Sequence, residues 1–294
     1  MWYNVGMQLY DECRDCLYNS QMKKVTSMHG ENDERLQSFK EAVRALCDGA
    51  PDSSCAPLLM QGIDGVHRGI FGGIIDYSAE KHAFNTALLS IEERIFSRIK
   101  SSPDPVKEGI RYAIAANYID YARLSDLNAD SIAEVMFAAE RSVIDDGVYA
   151  RFTDKLNSAK NLVYLHDNCG EIVLDKLLIR AIKGTYPRIN VISVVRGGDI
   201  INDVTRDDAD EVGLGKYAYV ADSGTAIPGT YLPAVNALTR AFINNADVVI
   251  SKGLGNLETL YGKLGGGFYM FMCKCAHIAE RFGKNLWETA FVDD

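Results

Sequence analysis

The sequence predicts an α/β protein, with a mainly parallel sheet flanked by helices in residues 156–294 and an all-helical domain in residues 1–155. Three observations carry this. Apolar residues recur at helical spacing through the first half, whereas from about residue 160 short apolar runs alternate with amphipathic segments, the pattern of βαβ units. Three polar clusters stand where apolar runs end: HDNCGE at 166–171, INDVT at 201–205 and SKGLGNLE at 251–258. In an open parallel sheet ligands bind outside the carboxyl ends of the strands, so such clusters can meet in one crevice.

In the helical part, Leu36, Phe39, Val43 and Leu46 mark one apolar face. Leu88, Leu89, Ile91, Ile95 and Ile99 mark a second, and Ile110, Ala113, Ile114 and Asn117 a third. Breaks are expected at Gly30, Ala50 to Asp52, Ser101 to Pro105 and Asn128 to Asp130, where Gly, Pro, Asn and Asp suit caps and turns. In the second half the expected strands are Leu162 to Leu165, Val191 to Val195, Tyr217 to Val220, Val248 to Ile250 and Phe268 to Met272. The apolar helix faces between them are Leu174, Leu177, Leu178, Ala181 and Ile182, then Leu232, Val235, Leu238 and Phe242. A helix is expected over Leu257 to Leu264.

With 294 residues the chain can bury a sizeable core. A net charge of -9 and a pI near 5.1 argue against a nucleic-acid partner, whose backbone is neutralised by Lys and Arg. No run of about 18 apolar residues suggests a membrane span, and the start MWYNVGMQLYDE lacks a basic then apolar leader, which places the protein in the cytoplasm. Seven cysteines, an odd number, read as reduced thiols.

Asp167 and Asn168 put a carboxylate and an amide oxygen side by side at a strand end, hard ligands suited to Mg²⁺, Mn²⁺ or a similar ion. Either residue could instead cap the following helix. Asp203, after the turn Asp199 to Asn202, supplies a second carboxylate if its strand neighbours that of Asp167. Asn202 serves equally well as a cap. The other carboxylates from Asp199 to Gly215 read as a solvated loop or short helix. In SKGLGNLE two glycines let backbone N–H groups approach an anion at a helix start and Lys252 adds charge, with an ordinary tight turn as the alternative. No G-x-x-x-x-G-K-[ST] spacing is present. Cys13 and Cys16 form one C-x-x-C whose role, packing, metal or redox, is open without a matching second pair. Asn117 and Asp120 lie three apart on one helical face, facing a cleft or capping a turn.

Together, CRDC near the start, DYSAEKHAFN at 76–85, ANYIDYA at 116–122, HDNCGE, VVRGGDIINDVT and SKGLGNLE resemble the damage-control phosphatase family, formerly a domain of unknown function. The N-terminal C-x-x-C is similar to its mainly prokaryotic branch. The resemblance implies a Rossmann-like α/β domain joined to a helical domain, and hydrolysis of a small phosphorylated metabolite with a divalent metal: Mg²⁺, Mn²⁺, Co²⁺ or Ni²⁺. It implies Asp167, Asn168 and Asp203 as metal ligands, with Asp167, Asp203 and Lys252 carrying catalysis. Arg196, Asn117, Asn256 and Glu258 lie in shared motifs and, with Gly253 and Gly255, are expected to bind substrate. Two departures stand out: Ala116 where the family commonly has Gly, and Tyr77 after Asp76 where it commonly has Pro. A non-catalytic binding protein for a nucleotide or phosphorylated metabolite is the competing class. A methyltransferase ranks below it because no glycine-rich loop follows the first strand.

Overall fold

The computed structural model describes residues 7–117, 137 and 139–294; the expected break at Asn128 to Asp130, and Asp120, lie outside them. Three helices come first: α1 (Asp11–His29), α2 (Arg35–Gly49) and α3 (Ala56–Phe71). Gly30 and Gly72 end α1 and α3 at φ +83° and +86°, backbone angles that glycine adopts without a Cβ penalty. The apolar stripe Phe39, Val43 and Cys47 of α2 closes on Leu59, Met60 and Ile63 of α3 and on Tyr18 and Val25 of α1, forming a core of their own.

Helices α4 (Ser78–Leu89), α5 (Glu92–Ser101), α6 (Pro105–Ala115) and α7 (Asp146–Ser158) follow. The run Leu88 to Ile99, expected as one face, is split because the chain turns at Ser90 and Ile91 between α4 and α5. Asp104 caps α6 by accepting the Lys107 N–H at 3.0 Å, and Asp145 caps α7 by accepting the Val148 N–H at 2.9 Å. The expected division at residue 155 falls inside α7.

The remainder alternates strand and helix: β1 (Asn161–Leu165), α8 (Glu171–Thr185), β2 (Asn190–Val195), α9 (Arg206–Glu211), β3 (Tyr219–Asp222), α10 (Ala237–Asn244), β4 (Val248–Lys252), α11 (Gly253–Leu260), β5 (Phe268–Met272), α12 (Ala276–Arg281) and β6 (Thr289–Asp293). The strand order is β3-β2-β1-β4-β5-β6. All pairs are parallel except β5 with β6. The α/β class expected from sequence is the one observed.

Side-chain alternation sorts the strands between two cores. Leu162 and Tyr164 of β1, Val248 and Ile250 of β4, and Phe268 and Met270 of β5 pack with α4 to α8. Val163 and Leu165, Val249, and Tyr269 and Phe271 pack on the other face with Leu257 and Leu260 of α11 and Ile278 of α12. The chain order reverses between β1 and β4, which neighbour each other in the sheet. That is the switch point, where two crossovers leave in opposite directions and open a crevice.

Several boundaries differ from expectation. Tyr217 and Ala218 lie in the turn after a 3₁₀ segment, Leu214–Lys216, so β3 begins only at Tyr219. The stripe Leu232 to Phe242 is helical only in its second half, since Asn236 caps α10 by accepting the Thr239 N–H at 2.8 Å. The helix expected at Leu257 to Leu264 begins at Gly253 and ends at Leu260, so the glycines start it rather than precede it. Among the described residues no helix is long and apolar enough to cross a membrane. All seven cysteines are free.

Candidate active site at the sheet switch point

Just past β1 the chain is zipped to the loop following β2. Asn168 pairs with Asp203 as an isolated antiparallel bridge, and the Cys169 N–H donates to the Asn202 carbonyl at 2.9 Å. The Val204 N–H donates to the Asp167 carbonyl at 2.8 Å. These backbone bonds bring two carboxylates separated by 36 residues in sequence to one place. Ile201, just before them, has φ +48°, an uncommon angle for a β-branched residue, and packs against the α1–α3 core.

Arg196 stands between the two carboxylates. Its Nε donates to Asp203 Oδ2 at 2.6 Å, its Nη2 to Asp167 Oδ1 at 3.5 Å and its Nη1 to Asn256 Oδ1 at 3.3 Å. Asn256, on the first turn of α11, also donates to the carbonyls of His166 at 2.9 Å and Lys252 at 2.7 Å. Thr230, not singled out in the sequence, donates to Asn256 Oδ1 at 2.8 Å. Burial raises the Asp167 carboxyl well above the usual carboxylate range, and the like charges of Asp203 and Glu171 raise it further, against a partial offset from Arg196.

A second buried cluster lies on the α8 side of the sheet. Lys252, the last residue of β4, shares the strand face of Ile250 and therefore points toward α8 rather than into solvent. Its Nζ is 2.8 Å from Glu171 Oε2 and 3.0 Å from Asp175 Oδ1. Burial disfavours the ammonium, but the two carboxylates outweigh it and hold the lysine pKa above its ordinary value. Asp175 is pulled up by burial and more strongly down by Lys252 and His166, so it stays ionised. It also accepts from the Tyr164 hydroxyl at 2.8 Å and faces His166 Nδ1 at 3.0 Å. Asn117 Nδ2 donates to Glu171 Oε2 at 2.9 Å.

Asn168 joins the clusters, its Nδ2 donating to Asp167 Oδ2 at 3.2 Å and to Glu171 Oε1 at 3.1 Å. Thus Asp167, Asn168, Asp203, Arg196, Asn117, Lys252 and Asn256 are brought together. Glu171 and Asp175, which sequence reasoning did not count among the site residues, link them. One signal was available: they are four apart at the start of one helix and so share its face.

The glycines have separate reasons. Gly253, at φ +78°, lies so close to Asp167 that a Cβ would fall 1.8 Å from Oδ2. At Gly255 a Cβ would fall 1.9 Å from the Pro228 carbonyl, which fits backbone-to-backbone packing of α11 on the 228–230 turn. Glu258 is not among the assembled residues. Two positions after Asn256 it leaves α11 on the other side, and its half-buried carboxylate accepts the Ala56 N–H at the start of α3. Loss of water pushes it up to about 7. Beside the crevice a cleft of about 200 Å³ opens between α4 and the 199–211 segment, lined among others by Ser78, Lys81, Thr205 and Asp208. Asp208, expected to be solvated, is held 2.6 Å from buried Lys81.

The donor set of Asp167, Asn168 and Asp203 is all oxygen and fits a hard divalent cation better than a thiophilic one. Two carboxylates and one amide make it up, and among the described residues no three His, Cys, Asp or Glu side chains are arranged to hold a metal ion. The buried like charges at Asp167 and Asp203 are the reason a cation suits the place.

Residues 9–289 match the model of the damage-control phosphatase ARMT1-like domain. A damage-control phosphatase of Archaeoglobus fulgidus is 26% identical over 288 residues, covering 95% of this chain and 97% of the relative. Damage-control phosphatase PH1575 of Pyrococcus horikoshii is 32% identical over 174 residues, covering 58% of this chain and 59% of the relative. The crystal structure of that DUF89 family protein superposes with a TM-score of 0.79 at 24% identity, covering 96% of this chain and 98% of the other.

Proposed function

The chain belongs to the damage-control phosphatase ARMT1-like family, and on that footing we propose that it hydrolyses a small phosphorylated metabolite with the help of a divalent cation held by Asp167, Asn168 and Asp203. The observation that carries the reading is the convergence, at the sheet switch point, of two carboxylates from adjacent strand ends with a buried arginine between them. Simple anion binding does not call for such a pair, whereas a phosphate bridged through a cation does. Mg²⁺, Mn²⁺, Co²⁺ or Ni²⁺, once bound, would neutralise phosphate charge and activate the attacking water.

The chain's own residues supply the rest. Arg196, already tied to Asp203, Asp167 and Asn256, places a fixed guanidinium where charge develops on the phosphoryl oxygens. Lys252 keeps its charge and uses two of its three donors on Glu171 and Asp175, which leaves its third for a phosphate oxygen. The first turn of α11, opened by Gly253, offers backbone N–H groups to the same anion.

The test is hydrolysis of an aryl phosphate by chelator-stripped protein, with Mg²⁺, Mn²⁺, Co²⁺ or Ni²⁺ restored singly. Metal-dependent turnover that disappears in Asp203→Ala is expected. Binding of the ion and of a phosphorylated ligand without turnover would replace the enzyme by a binding protein.

A further inference from the structure

We infer that Glu171 is a positioning residue that fixes the orientation of the Asn168 amide and couples it to Lys252. This rests on the metal-site reading above and assigns the group that makes it work. Glu171 is the first residue of α8 and is 1% exposed. Its place is set by Gly170, whose left-handed backbone at φ +80° turns the chain into the helix and whose N–H donates to Asn85 Oδ1 at 2.7 Å.

The Asn168 amide can be oriented in only one way. Its nitrogen faces two carboxyl oxygens, Glu171 Oε1 at 3.1 Å and Asp167 Oδ2 at 3.2 Å, and the Glu171 carboxylate, paired with Lys252 at 2.8 Å, only accepts. The flipped amide would set its oxygen against the Glu171 carboxylate. With both N–H bonds committed, Oδ1 is turned to the opposite side, as a cation ligand must be. Asp167 would serve as a ligand itself, so the holding contact that stays outside the cation's reach is Glu171. Its other oxygen takes Lys252 Nζ at 2.8 Å and Asn117 Nδ2 at 2.9 Å, which keeps the carboxylate from rotating. The end of β4 and the turn after β1 are thereby linked through one side chain.

Glu171→Gln breaks this arrangement by necessity. A glutamine amide sets an N–H donor against Asn168 Nδ2 or against Lys252 and Asn117, and one side must give way. The experiment is calorimetric titration of Mn²⁺ into chelator-stripped wild type, E171Q and D175N. Weakening of Mn²⁺ binding by about 10–100-fold is expected for E171Q, as when a ligand-orienting partner is lost, with Kd for D175N within about 3-fold of wild type. If Glu171 acts through Asn168, E171Q adds no further loss on an Asn168→Ala background. A purely structural role would weaken E171Q and D175N alike.

Should E171Q not fold, E171D carries the test: it keeps the charge opposite Lys252 yet withdraws Oε1 from Asn168, and weaker Mn²⁺ binding is again expected. Folded E171Q, or E171D in its place, binding Mn²⁺ as tightly as wild type would overturn this inference alone. Wild type that binds no Mn²⁺, Mg²⁺, Co²⁺ or Ni²⁺ would overturn the metal-site reading and the inference with it.

Discussion

The α1–α3 core and the switch-point crevice both hold side chains withdrawn from water and are built of opposite material. Phe39, Val43 and Ile63 are at most 1% exposed in the first, as are Lys252, Asp175, Arg196 and Glu171 in the second. Each apolar side chain buried in the helical core contributes about 1.5–3 kcal/mol. Each ion taken out of water costs several kcal/mol before its partner is counted. A fold selected for stability alone would fill the crevice as it fills the helical core, and the proposed chemistry gives the charges there a reason. The backbone enforces them: the pairing of Asn168 with Asp203 and the parallel register of β1 with β4 leave the charged groups nowhere else to go.

Replacing Lys252 with Met should strike both stability and activity, because it strands Glu171 and Asp175 as buried charges. A loss of about 3–5 kcal/mol in urea unfolding is expected, with loss of phosphate turnover, and a stable Lys252→Met protein would erase the contrast. Phe39→Ala should cost stability on a similar scale, about 3–5 kcal/mol, yet leave kcat of the folded enzyme within about twofold. A large kcat defect there would show the helical core to be part of the catalytic apparatus.

Gly253→Ala acts on a smaller scale. The positive φ costs about 1 kcal/mol, and the new methyl must displace the Asp167 carboxylate, so Mn²⁺ affinity should fall more than stability does.

The smallest effect lies where the two regions touch. Glu258 has its folded pKa raised to about 7, so its contribution is fully present below its unfolded value near 4.5 and is lost as pH rises through 7. Wild type should therefore lose stability from pH 5 to 8 by about 1–2 kcal/mol more than Glu258→Gln does, the half-buried carboxylate keeping part of its water. Equal slopes in the two proteins would mean that Glu258 ionises freely.

Much of this was legible in the sequence, for reasons that differ by element. Strands β1, β2, β4 and β5 showed as apolar runs because both faces of a parallel sheet are buried. β6 did not: it is a short antiparallel edge strand entered through Trp287 at φ +67°, and no apolar run announces it. Polar clusters at strand ends pointed to Asp167, Asn168, Asp203 and Lys252, which the structure brings together. Sharing a motif does not bring Glu258 to the crevice, because residues two apart on a helix face opposite ways and it is Asn256 that turns there. Asp175 was hidden in the apolar stretch of α8, and its partner Lys252 comes from a distant strand.

The most direct test of the central claim is anomalous diffraction at the manganese edge from crystals grown with Mn²⁺ and a phosphate analogue. The account predicts one peak ligated by Asp167, Asn168 and Asp203 with the analogue's oxygen beside it and Arg196 in contact. A peak elsewhere, or an analogue bound in the crevice with no metal among these three residues, would contradict it.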